Sequence, residues 1–133
     1  MRSDTQTISI LATPTKVAKF VADPTNLPRW AVGFAKAVRN QEGRWLVMTG
    51  GGEVGIRVVA DVQLGVVDFL MSPAPGVEAM AASRVLPNES GCEYLFTQFQ
   101  GPGMSDEMFD KSVKALAHEL TVLRALLEVE CPL

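Results

Sequence analysis

The sequence holds almost none of the residues that ligate metals or build nucleophile–base pairs. Its 133 residues include one histidine, His118, and two cysteines, Cys92 and Cys131. No second histidine or cysteine lies near enough in the chain to suggest a cluster, so no metal site and no cofactor are expected. Two cysteines do not make a disulfide framework in a chain of this size. Cys92 falls in a strand pattern and reads as a small buried residue, Cys131 as a terminal thiol. Charge is also sparse: 12 Lys and Arg stand against 15 Asp and Glu, a net of −3. A basic footprint is absent, so no nucleic-acid partner is expected. No apolar run reaches the roughly 18 residues of a membrane span. The polar start, Met1-Arg2-Ser3-Asp4-Thr5-Gln6-Thr7, has no apolar signal-peptide segment behind it, and a cytoplasmic protein is expected.

What remains is an ordinary globular balance, 47% hydrophobic and 20% charged, which suits one domain over residues 1–133 with one core. The strongest pattern is the stretch Ser105–Glu130. Phe109, Val113, Leu116, Leu120, Leu123 and Leu127 step by three and four and fall in one stripe. Ser105 is a candidate N-cap, and Asp106 and Glu107 put negative charge on the positive end of the helix dipole. Such a helix is roughly 39 Å long and can cross a small domain.

Upstream, Thr7–Leu11 alternates and reads as a strand. Thr13 caps a helix that opens with Pro14 and stops before Asp23-Pro24. Thr25 or Asn26 caps a second short helix, Leu27–Ala35, bearing Trp30 and Phe34. From Lys36 the period becomes two. Six strands are predicted: Ala37–Asn40, Arg44–Met48, Glu53–Asp61, Val66–Met71, Val77–Leu86 and Gly91–Phe99. Short turn-like separators between them imply an antiparallel meander. Gly50-Gly51-Gly52 lacks the strand–loop–helix context of a phosphate cradle and reads as a hairpin turn. The predicted class is α+β: a curved seven-stranded antiparallel sheet around the long C-terminal helix, with two short helices after strand 1.

This order resembles the START-like (SRPBCC) helix-grip superfamily, especially its polyketide cyclase/dehydrase and lipid-transport-like members. Three stretches carry the resemblance. Val17–Pro24 with Asn26-Leu27-Pro28-Arg29-Trp30 is similar to the family's paired short helices. Ser83–Asn88, Gly91-Cys92-Glu93 and Phe96–Gln100 are similar to its last hairpin. Gly101–Ser105, leading into a helix with Glu119-Leu120 and Leu123, is similar to its closing element. The resemblance implies an apolar cavity between sheet and helix. It does not choose among the carriers, cyclases, hydrolases and co-chaperone-like partners built on this fold.

Alternation predicts the walls of that cavity. Charges in strands face water unless paired, which turns Glu53, Arg57, Asp61, Asp68, Glu78, Arg84 and Glu93 outward. Trp45, Val47, Val54, Ile56, Val58, Val67, Phe69, Met71, Val77, Ala79, Ala81, Val85, Tyr94, Phe96 and Gln98 then face inward. Trp30 and Phe34 cover the open end, and Phe109, Val113, Leu116 and Leu120 form the helix side. The candidate ligand-binding set is Trp30, Phe34, Trp45, Ile56, Val58, Phe69, Met71, Tyr94, Phe96, Gln98, Phe109, Val113 and Leu116. Tyr94 and Gln98 are the clearest polar tips; they either orient a ligand or satisfy each other or buried water. Arg57, Asp61, Asp68 and Arg84 would be an acid–base set only if a bulge turned them inward; pairing on the outer face is the simpler reading.

Three functions fit: binding of a small hydrophobic or aromatic ligand, a cyclase/dehydrase-type enzyme with Tyr94 and Gln98 orienting the substrate, or an interaction module, such as a homodimer, with a filled core. Whether the chain is an enzyme stays open at this point. His118 lies about 200° around the helix from Leu116 and Leu120, away from the stripe. His118→Ala should therefore leave ligand affinity or turnover within about twofold of wild type; a large loss would overturn this helix-face assignment.

Overall fold

The computed structural model describes residues 1–133. Strand β1 (Ser3–Ile10) is followed by helix α1 (Pro14–Ala22), a 3₁₀ turn (Pro24–Asn26) and helix α2 (Leu27–Trp30). Strands β2 (Ala37–Gln41), β3 (Arg44–Thr49), β4 (Gly52–Asp61), β5 (Val66–Ala74), β6 (Val77–Asn88) and β7 (Gly91–Phe99) come next, and helix α3 (Asp106–Glu130) ends the fold. The seven strands form one antiparallel sheet in the order β1-β7-β6-β5-β4-β3-β2. Strands β2 to β7 are a meander, and β1 closes on β7, from Ser3↔Phe99 to Ile10↔Cys92. The chain must therefore cross from one sheet edge to the other between β1 and β2, and the two short helices make that crossing. This is the helix-grip fold expected from the element order.

Two elements differ most from the sequence reading, and β5 and β6 run on to Ala74 and Asn88, past the predicted Met71 and Leu86. Strand β1 begins at Ser3, four residues earlier than Thr7, because its polar N-terminal half pairs along its whole length with β7. That half gains ladder hydrogen bonds that its own composition does not announce. Helix α2 stops at Trp30 instead of Ala35. The backbone leaves helical geometry at Ala31 (ψ 55°), and the N–H groups of Gly33 and Phe34 donate to the Glu119 carboxylate from α3. The Phe34 N–H is shared between this tertiary acceptor and the Ala31 carbonyl.

The turns follow local chemistry. At the β2–β3 hairpin Glu42 and Gly43 both have positive φ (51° and 84°), the condition for a tight two-residue loop that matches strand twist. Pro75 and Gly76 (φ 75°) join β5 to β6, as a Pro-Gly turn prefers. A register shift between Met71 and Ala74 lets β5 carry Pro73.

Helix α3 is capped as its sequence implies: the Ser105 side chain accepts from the Met108 N–H at 3.1 Å. Phe109, Leu116, Leu120, Leu123 and Leu127 are buried along its stripe and Val113 is half-buried. Each buried Leu contributes about 1.5–3 kcal/mol. Polar clamps fix both ends against the β1 side. Arg2 pairs with Asp110 at 2.8 Å and Asp106 at 3.2 Å, and its guanidinium lies 4.9 Å from the Phe109 ring centroid. Gln6 donates to the Val113 carbonyl at 2.9 Å, and the Leu11 N–H donates to Glu128 at 2.8 Å. α3 thus leans on β1 and α2, whereas α1 packs across β4, β5 and β6.

Gly65, in the β4–β5 turn, has φ +69°, and a Cβ there would lie 2.2 Å from the Val85 carbonyl oxygen. That carbonyl is backbone and cannot swing away. Gly65→Ala should lower the unfolding free energy by about 2–4 kcal/mol, measured by urea denaturation. A loss under about 0.5 kcal/mol would mean that this turn does not pack on β6 as described.

Candidate functional site

One helix cannot cover the whole inner face of a seven-stranded sheet. Because α3 is held near β1, a cavity of about 340 Å³ remains between it, α2 and the middle strands. Seventeen of its 22 lining residues are hydrophobic. Nine of the expected site residues line it. Trp30 and Phe34 cover it from the α2 side; Ile56, Phe69, Met71, Phe96 and Gln98 come from β4, β5 and β7; Phe109 and Leu116 come from α3. Alternation put these strand residues on the inner face, and the stacked pair Phe69–Phe96, 5.8 Å between centroids, forms its floor.

Four expected residues do not line it. Tyr94 is fully buried behind the wall, edge-on to Trp30 at 6.4 Å and to Phe96 at 6.3 Å. Trp45 and Val58 border a second, more open recess of about 580 Å³ with Arg44, Arg57 and Glu78, which shares only Ile56 with the cavity. Val113 is half-buried outside the cavity lining, and its backbone carbonyl accepts from Gln6. Val77, expected to face inward, is exposed at the hairpin end of β6.

The cavity mouth is a gap in the sheet. Strand β7 continues to Phe99 on β1, but β6 pairs with β7 only from Ala82 onward. Val77–Ala81 therefore has β5 on one side and no strand on the other. Ala79, Met80, Phe99 and Met104 rim the cavity there.

The outer charges are paired or exposed except Glu93, which is half-buried with one carboxylate oxygen unpartnered. Arg84 and Asp68 meet at 2.7 Å, and Arg39 grips Glu53 with two hydrogen bonds, which holds the Glu53 carboxyl below its usual range. Arg57 and Asp61 are exposed, as is His118. Cys92 is buried and free, and burial pushes its thiol up to about 11, so it is inert near neutral pH. No three His, Cys, Asp or Glu side chains converge as a metal site would need.

The residue that pattern reading missed is Glu119. It lines the cavity and is only 5% exposed. Its Oε2 accepts from the N–H groups of Gly33 at 3.0 Å and Phe34 at 3.1 Å, so it holds the turn that carries Phe34 over the cavity. Desolvation raises its pKa, and the two backbone donors and Lys36 offset only part of that. Helical spacing carried the signal: Glu119 is three residues after Leu116 and four before Leu123, on the edge of the stripe. Four buried side-chain polar atoms have no protein partner: Trp30 Nε1 and Gln98 Oε1 on cavity-lining residues, the Tyr94 hydroxyl behind them, and Glu93 Oε2 outside the cavity lining. The buried Ser83 hydroxyl donates to the Val67 carbonyl.

Comparison with known proteins identifies the fold. An uncharacterised protein from Bacillus thuringiensis is 15% identical, with a TM-score of 0.76 over 94% of this chain and 98% of its own. The Aha1 dimer from Colwellia psychrerythraea is 18% identical, with a TM-score of 0.74 over 97% of this chain and 98% of its own. The di-domain ARO/CYC protein BexL of the BE-7585A biosynthetic pathway is 19% identical, with a TM-score of 0.70 over 98% of this chain and 48% of its own. No family model and no curated protein matches the sequence. The chain has the helix-grip fold that these structures share. No helix is long and apolar enough to cross a membrane.

The raised Glu119 pKa predicts a pH signature. The native state takes up this proton at a higher pH than the unfolded chain. The native state therefore gains stability as pH falls from the folded toward the unfolded value, and that gain is absent at neutral pH. Glu119→Gln removes the titration but keeps a carbonyl for the two N–H groups. Wild-type stability relative to Glu119→Gln should rise between neutral pH and about pH 4. The depressed carboxyls, Glu53 and Asp106, lose stability in acid equally in both proteins and cancel in this difference. A pH-independent difference would contradict the burial of Glu119.

Proposed function

We propose that the protein binds a small hydrophobic or aromatic ligand inside the cavity between the sheet and α3. One observation carries this reading: an apolar space of about 340 Å³ whose lining includes Trp30 and Gln98, each with a buried polar atom that has no protein partner. Ligand pockets typically occupy about 300–1,000 Å³, with mostly apolar walls and few polar groups. Buried polar atoms in native proteins nearly always have partners, and a ligand or ordered water would supply them here. Trp30 Nε1–H offers a donor to a ligand oxygen, and Gln98 Oε1 accepts from a hydroxyl or amine. An unfilled interior also weighs against an interaction module with a packed core.

A second reading, turnover of cyclase/dehydrase type, gains support from Glu119. A carboxyl with a raised pKa inside an apolar cavity is a general acid–base candidate. Among the polar groups first considered for orienting a substrate, Gln98 keeps that role, whereas Tyr94 lies behind the wall.

The first test is native mass spectrometry of the purified chain, with denaturing extraction of bound molecules. A co-purifying small molecule is expected, and the same spectrum tests for a homodimer. The control is a plug at the mouth: Ala79 is exposed and rims the cavity. Ala79→Trp should change stability by less than about 1 kcal/mol yet reduce occupancy at least about tenfold. Undiminished occupancy in the plugged variant would sink the assignment of this cavity.

A further inference from the structure

The charges around the cavity specify more than greasiness. Glu119 is the one ionisable side chain among its lining residues, and no Lys, Arg or His lines it. The cation acting on Glu119, Lys36, is exposed and donates to the Val32 carbonyl instead. Both hydrogen bonds to the carboxylate fall on Oε2, which leaves Oε1 without a protein partner. Gln98 Oε1 is a second acceptor with no partner. The aromatic side chains of Trp30, Phe34, Phe69, Phe96, Phe99 and Phe109 also line it, with Arg2 stacked on Phe109 from outside the lining. A carboxylate, a free amide carbonyl and several aromatic faces are all complementary to a positive charge that carries N–H donors.

We propose that the cavity selects ligands bearing a protonated amine on an aromatic or apolar body, with the ammonium directed at Glu119. This deepens the ligand-binding reading and rests on it. The energetic argument is one of preorganisation. Burying an ion pair usually fails to repay the desolvation of both ions. Here the carboxylate is already desolvated by folding and held in place by two backbone donors, so only the amine loses its hydration on entry. A ligand carboxylate would meet an unpaired like charge and is disfavoured. The Trp30 N–H, the remaining free donor, fits an oxygen elsewhere on the same ligand.

The test uses the full chain and three matched probes at neutral pH, by isothermal titration calorimetry: naphthylethylamine, naphthylethanol and naphthylpropionate. The amine should bind at least about tenfold tighter than the alcohol, and the acid most weakly. In Glu119→Gln, which retains a carbonyl for Gly33 and Phe34, the ratio of amine to alcohol affinity should collapse to about unity. Equal affinities for amine and alcohol in the wild type overturn the amine inference and leave the cavity reading standing. So does an amine preference that survives in Glu119→Gln. Failure of all three probes to bind counts against the cavity reading itself, and the inference falls with it. If the variant does not fold, the carbon NMR shift of the wild-type Glu119 carboxyl decides. It should move on titration with the amine and stay still with the alcohol; movement with neither overturns the proposal.

Discussion

The structure turns on a mismatch of widths: one helix must close a curved sheet of seven strands. The apolar stripe of α3 buries Phe109, Leu116, Leu120, Leu123 and Leu127, and hydrophobic burial on this scale is what holds the helix to the sheet. Where along the sheet the helix settles is decided by polar contacts. Arg2, Gln6 and the Leu11 backbone tie α3 to the β1 side. With the helix held there, the middle strands lack a full cover, and α1 and α2 close only part of the remaining space. The cavity is thus a consequence of where the clamps lie.

Glu119 joins the fold to the site. Its carboxylate ends α2 early, shapes the turn at Gly33 and Phe34, and so holds Phe34 over the cavity. The same placement leaves a charge-bearing group inside an apolar space, where Coulombic effects are strong and hydration is lost. A residue that caps a turn from across the fold has two consequences at once: local order in the turn, and an electrostatic preference in the cavity. The exposed His118, one residue earlier, has neither, because one position along a helix is a rotation of about 100°.

Much of the architecture could be read directly. Spacing by three and four identified α3 and its cap. Alternation with short Gly, Pro and Asn turns identified the meander, and the hydrophobic inner positions of β4, β5 and β7 fell on the cavity side. The misses share a cause. The early start of β1 depends on β7, 82 residues away even at the closest pair, Ile10↔Cys92. The early stop of α2 depends on Glu119. Tyr94 faces inward by period but is buried too deeply to meet a ligand. Trp45 and Val58 border the second recess and not the cavity, although Val58 pairs directly with cavity-lining Phe69.

Periodicity, caps and turn chemistry are local, so the sequence by itself determined which elements form, their order and the face that each buries. Distances between elements are not local. The width of the gap beside α3, the break between β6 and β7 at Ala82, and the capture of two backbone N–H groups by Glu119 are set by the balance of many long-range contacts. Only the tertiary structure decided these. They separate a filled interior from an open one, and they turn a glutamate on the edge of a helix stripe into the one ionisable group inside the cavity.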